Sequence, residues 1–152
     1  MTNYIYNYLE IELQEEDLDI FNSNDFLLDE YIPMPDHYEH QSPLSRVKWC
    51  QDNWGTSDDI INVKTKIKEN KFIAKFFSVE SHPSIWLTTM AGRHKNLIME
   101  IYWVDQNRKH CGHHKLVNGN SVEVFYCLKK DYDNFIENIF PKKLIPNLSM
   151  IW

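Results

Sequence analysis

The sequence predicts an α+β fold: a βαββαβ core with an antiparallel sheet, an added C-terminal β-hairpin and a terminal helix. Three observations predict it. Strand-like runs alternate along the chain with stretches of helical spacing, Asn118-Gly119 marks a tight hairpin, and 152 residues form one domain's worth of polypeptide.

The first strand is read over Tyr4 to Leu13, where Ile5, Leu9, Ile11 and Leu13 alternate with Tyr and acidic positions. A helix is expected from Glu15 to about Leu28, with Leu18, Phe21, Asp25 and Leu28 at helical spacing and Glu15-Glu16-Asp17 suiting a positive N-terminus, and Asn22-Ser23-Asn24 is a point where it can split. Ile32-Pro33-Met34-Pro35 is not helical, because proline lacks a donor and restricts its predecessor. A long irregular crossing is therefore expected over about 31–59, with a turn or two of helix at Arg46 to Gln51. Ile60 to Ile67 and Phe72 to Val79 form an antiparallel pair joined by Lys68-Glu69-Asn70-Lys71. A second helix starts near Ser81-His82-Pro83 and runs through Ile85, Trp86, Met90, Ala91 and His94. Leu97 to Val104 reads as a largely buried strand. The hairpin spans about 110–128, and its two-residue loop sets Val117 opposite Asn120, His114 opposite Glu123 and His110 opposite Cys127. A terminal helix and tail occupy about 131–152, the helix capped by Asp131 and stopped by Pro141.

Composition narrows the functional classes. Sixteen Lys plus Arg against 22 Asp plus Glu give a net charge of −6, which disfavours generic attraction to nucleic-acid phosphate. Four glycines and no Walker pattern exclude glycine-rich phosphate loops. The three cysteines, Cys50, Cys111 and Cys127, lack C-x-x-C spacing, which argues against a disulfide scaffold and for a reducing cytoplasm. No apolar run approaches a membrane span, and the N-terminus has no secretory pattern, so a soluble cytoplasmic domain without membrane partners is expected. Asn, Ile and Lys, the residues of A/T-rich codons, are abundant while Arg is scarce, which points to an A/T-rich genome.

Asn3 with Asn7, Ile32-Pro33-Met34-Pro35-Asp36, Trp49-x-x-x-Asn53-Trp54-Gly55-Thr56 and Ser78-x-x-x-His82-Pro83-Ser84 occur in that order. In these elements the chain resembles the YubB ferredoxin-like domain proteins of phages and plasmids, over most of its length. Where that family usually continues with Lys-Trp-Asp, this chain has Ser57-Asp58-Asp59, so it resembles a distant member. The resemblance implies a ferredoxin-like fold and a mobile-element origin, and it brings no catalytic residues.

Trp49, Asn53, Trp54, Gly55 and Thr56 are the expected ligand-binding residues, because two indoles, an amide and a hydroxyl in an irregular loop can stack on and hydrogen-bond a nucleotide base or a peptide. The same residues can instead close a turn and plug the sheet. His110, His114, Glu123 and Cys127 have metal-ligand chemistry, but roughly 13 Å separates their two cross-strand pairs, so no metal is assigned and no cofactor is called for. Glu80, His82, Asp105 and His110 are candidate acid or base groups with no spacing that brings two together. The expected function is a small binding protein of a phage or mobile element that occupies a host protein or ligand, with a possible anti-defence role. A metal-dependent hydrolase or nucleotide-processing enzyme is the alternative. Single-stranded nucleic-acid binding ranks third and would place Phe72, Phe76 and Lys75 on an exposed sheet face.

Overall fold

A computed structural model describes residues 2–21, 26–107, 109–128 and 131–138, without the side chains of Glu39, Cys127, Leu128, Tyr132 and Ile136. Six strands form one antiparallel sheet: β1 Tyr4–Glu12, β2 Ile61–Lys68, β3 Lys71–Val79, β4 Ile98–Asp105, β5 His110–Val117 and β6 Asn120–Leu128. Their order is β2-β3-β1-β4-β5-β6. Among the described residues four α-helices accompany them, α1 Leu28–Tyr31, α2 Pro43–Asn53, α3 Ser84–Arg93 and α4 Tyr132–Asn138, with 3-10 turns at Glu15–Asp17 and Asp36–His40.

Side-chain alternation gives the sheet two unlike faces. One is covered by α1, α2 and α3. Leu9 and Ile11 of β1, Phe72, Ala74 and Phe76 of β3, and Met99 and Ile101 of β4 pack there against Phe26, Leu28, Trp54, Trp86, Leu87 and Met90. The other face carries Tyr6, Tyr8 and Glu10 of β1, Lys71, Ile73 and Lys75 of β3, Glu100 and Tyr102 of β4, and His113 and Lys115 of β5. Here Tyr6, Tyr8, Ile73, Val104 and Cys111 form a second buried cluster with Phe135 of α4, whose ring stacks on Phe125 of β6. Tyr6 and Tyr8 are therefore buried, and β1 is covered on both sides rather than half-buried as its alternation suggests.

The connections depart from expectation where propensity is weak. Over the helix expected from Glu15 to about Leu28, the described residues wind only Glu15–Asp17 as a 3-10 turn, and α-helix begins at Leu28 with α1; Asn22 to Asp25 lie outside the described residues. The Asp59 carboxylate holds the start of α1, accepting from the Leu28 and Asp29 amides at 2.8 and 3.1 Å. Burial raises the Asp59 pKa, against the opposing pull of its backbone donors. The supposed irregular crossing contains the 11-residue α2, which starts where Ser42 Oγ accepts from the Ser45 amide with Pro43 behind it.

The β2–β3 and β5–β6 turns both take left-handed backbone. Glu69 and Asn70 have φ of 52° and 66°, and Asn118 and Gly119 have 52° and 79°. Val117 faces Asn120 as expected, but the ladder then shifts: Leu116 faces Ser121 and Lys115 faces Glu123. This bulge adds one residue to β6, and because strand side chains alternate, it moves every later partner to the opposite face. His114 therefore faces Val124 and His110 faces Leu128, not Glu123 and Cys127. Cys50 is free and buried, whereas Cys111 is disulfide-bonded, so the expectation of unpaired cysteines is corrected; the residue opposite Cys111 across the ladder is Cys127. Among the described residues no helix is long and apolar enough to cross a membrane.

Candidate functional site

At the end of the sheet where β1 begins and β4 ends, a cleft of about 230 Å³ opens between the β3–α3 connection and the β5–β6 hairpin. It brings together Asn3, Glu80, His82, Asp105, His110, Trp103 and Tyr126. The four acid and base candidates, which nothing in the sequence spacing unites, all line this one cavity. Strand pairing explains the convergence: β1 sits between β3 and β4, with Tyr4 opposite Val79 and Ile5 opposite Asp105.

Trp103 forms the back wall. Its indole lies flat over β5 at Gly112, where a Cβ would stand 2.5 Å from the ring, so only glycine permits the approach. The His82 ring stacks on the indole at 4.7 Å with planes 6° apart. Burial, reinforced by the positive field of His114, lowers the His82 pKa to about 4, so the imidazole is neutral at physiological pH. Tyr126, 56% exposed, stands 5.7 Å from Trp103 and shares a 2.5 Å hydrogen bond between its hydroxyl and His110 Nδ1.

Both carboxylates are held by backbone donors. Glu80, at φ 68°, accepts from the Asn3 amide at 3.0 Å, and buried Asp105 accepts from the Lys109 amide at 2.8 Å. Each of those bonds uses one oxygen. Neither carboxylate has a Lys or Arg partner among the described residues, and no Lys or Arg lines the cleft. The cavity is thus aromatic on its walls, with the Glu80 carboxylate exposed at its mouth and the Asp105 carboxylate buried in its lining.

Behind the cleft runs a buried polar chain. Asn7 Nδ2 donates to Ser78 Oγ at 2.8 Å, Ser78 Oγ donates to the Ser81 carbonyl at 2.7 Å, and Ser81 Oγ donates to the Gly55 carbonyl. Residues far apart in sequence are locked together here, including several on which the family resemblance rests.

The expected ligand-binding loop is placed differently. Trp54 is 2% exposed and donates from Nε1 to the Ile32 carbonyl at 3.0 Å. Trp49 is half-buried and meets Trp54 edge to face at 5.1 Å. Asn53 Nδ2 donates to the Trp49 carbonyl, and buried Thr56 donates to the Asp58 carbonyl. Gly55, at φ 87°, passes so near the start of α3 that a Cβ would sit 3.0 Å from Ser84 Oγ. These five residues pack and close turns, and only the Gly55 carbonyl reaches the polar chain behind the cleft.

The metal-type residues of the hairpin separate. His114 Nε2 meets Ser121 Oγ at 2.8 Å on the helix side, while Glu123 approaches His113 Nδ1 at 3.8 Å on the other face. The Cys127 side chain lies outside the described residues, and among those described no three His, Cys, Asp or Glu gather as metal ligands. Phe72 and Phe76 are buried in the helix-side core, and Lys75 stands on the opposite face. Sequence reasoning missed Trp103, Tyr126 and Asn3 as cleft residues. Gly112 in a strand was the available signal, since glycine there marks a close approach.

The fold and site define an α+β protein with an acidic, aromatic cleft. No protein-family model and no curated protein matches the chain. Among solved structures it is similar to protein api92 from Yersinia pseudotuberculosis, of the family model DUF1281, at 11% identity and a TM-score of 0.47, over 52% of this chain and 29% of that one. The chain thus spans less than a third of that protein.

Proposed function

We propose that the protein is a binding module whose end cleft receives a cationic side chain, lysine or arginine, from a protein partner. One observation carries the reading: two carboxylates, of Glu80 and Asp105, border an aromatic cavity without a basic partner among the described residues. A cation entering there gains two charge-assisted hydrogen bonds and the face of Tyr126. Size limits the guest. At about 230 Å³ the cleft is smaller than the roughly 300–1,000 Å³ typical of small-molecule sites, so it suits one side chain rather than a nucleotide. The net charge of −6 favours encounter with a basic partner.

Acid–base catalysis is the second reading, favoured by the convergence of Glu80, His82, Asp105 and His110 on one cavity. A His82 pKa of about 4 makes that imidazole a poor proton carrier near neutrality. The order β2-β3-β1-β4, with α3 between β3 and β4, supports a ferredoxin-like core extended by β5 and β6. The A/T-rich composition and the sequence resemblance support a phage or plasmid protein acting on a basic host protein, and anti-defence activity is the sharpest form of that reading.

The test is titration with fluorescein-labelled peptides of identical neutral sequence carrying one central arginine, lysine or norleucine. The arginine and lysine peptides should bind, norleucine should not, and Asp105→Asn with Glu80→Gln should abolish the difference. Equal binding of all three peptides would overturn the reading.

A further inference from the structure

The open face holds a second charged feature, of opposite sign, at the far edge of the sheet. Lys64, Lys66 and Lys68 alternate along β2, and Lys71 and Lys75 stand beside them on β3. The register places Lys64 directly opposite Lys75, and Lys68 directly opposite Lys71. Like charges so placed oppose folding. Lys71 pairs with Glu10 at 3.7 Å, but Lys64, Lys66 and Lys68 are exposed and have no acidic partner among the described residues. Protection of an edge strand accounts for lysines on β2. It does not account for β3, which is paired on both sides and still adds two lysines to the same strip.

We propose that this lysine ladder is a docking surface for single-stranded nucleic acid, held through its phosphates. Alternate residues repeat at roughly 6.8 Å, so the β2 row spans roughly 14 Å of regularly spaced cations, a match for a polymer with a regular charge repeat. All five are lysines, which act as point charges and read no base edges. An aromatic group continues the strip: Phe77, half-buried on the same face, lies between Tyr4 and Tyr6 at 6.4 and 5.6 Å and faces exposed Ile61. A base can stack there, and a carboxylate gains nothing from the ring, which favours nucleic acid over an acidic peptide. Because the chain as a whole is negative, binding is confined to this strip and depends strongly on salt.

The experiment is fluorescence anisotropy with labelled oligo-dT and oligo-U on the full chain. With three phosphate contacts, from Lys64, Lys66 and Lys68, affinity should fall about 20-fold between 50 and 200 mM salt, and in the variant carrying Lys64→Gln, Lys66→Gln and Lys68→Gln the salt dependence should be lost. That triple variant should melt no lower than the parent, since it removes like-charge contacts, and Lys48→Gln with Lys95→Gln should leave binding unchanged. Absence of salt-dependent binding, or a triple variant that binds as the parent does, would overturn the proposal. So would displacement of the oligonucleotide by an equimolar poly-glutamate peptide, which would assign the strip to an acidic protein. Asp105→Asn should not alter oligonucleotide binding, which separates this surface from the cleft.

Discussion

The two faces of the sheet are built from the same strands by opposite physical means. Toward the helices, Leu9, Ile11, Phe72, Phe76, Trp86 and Met99 exclude water, and Asn7 Nδ2 and Ser78 Oγ are tied into a hydrogen-bonded chain, while Asn7 Oδ1 and Trp86 Nε1 are buried without a partner among the described residues. On the other face, tyrosines, glutamates, lysines and a histidine form charge-assisted contacts around a small buried cluster that includes Ile73, Val104 and Phe135. Glu100 accepts from Tyr102 Oη at 2.5 Å and His113 Nε2 at 2.8 Å, and the His113 ring stacks on Tyr102 at 4.3 Å. The first face should set most of the stability, whereas the second face, together with His82 at the cleft, should set how stability responds to acid.

The comparison breaks first at Trp54. Trp54→Ala should cost about 3–5 kcal/mol in denaturant unfolding, because it opens a cavity and strands the Ile32 carbonyl. A loss below about 1 kcal/mol would mean that the indole is not the plug the packing implies. Gly112→Ala comes next, at about 1–3 kcal/mol, since the new methyl group must displace the Trp103 ring. The same variant should weaken peptide binding at the cleft, which thermal melting and titration together can check.

His82 tests the boundary between the faces and the site. Its pKa is lowered from 6.5 to about 4, so between those values the unfolded chain binds the proton and the folded one resists it. Stability from this group is present above pH 6.5 and is lost as pH falls toward 4, by on the order of 1 kcal/mol per pH unit. His82→Phe should flatten that part of the stability profile, and an unchanged slope would remove the burial argument. Glu100 should give the smallest effect. Hydrogen bonding to His113 lowers its pKa from 4.5 to about 2, so its contribution is present above 4.5 and lost as pH falls through 2. Glu100→Gln should remove only that acid limb, measured by urea unfolding across the same range.

Strand existence was legible because alternation, apolar runs and the Asn118-Gly119 turn are local signals. The β5–β6 register was not. A bulge between Lys115 and Leu116 leaves no compositional trace, yet it moves Glu123 from His114 to the side of His113. Asn-Trp-Gly-Thr was conspicuous in the sequence for its composition, but Trp54 and Thr56 are buried and the motif's chemistry is directed inward. The cleft was nearly invisible for the converse reason. Its residues come from β1, the β3–α3 connection, β4, β5 and β6, and only the pairing of β1 between β3 and β4 brings them together.

The most direct test of cation recognition is the indole ¹⁵N–¹H signal of Trp103, assigned through Trp103→Phe and followed during titration with the arginine peptide. A saturable shift with arginine, absent with norleucine and absent in the Glu80→Gln, Asp105→Asn double variant, is the result expected. A Trp103 signal that does not move, or that moves equally with norleucine, would contradict the assignment of the cleft to a cationic guest.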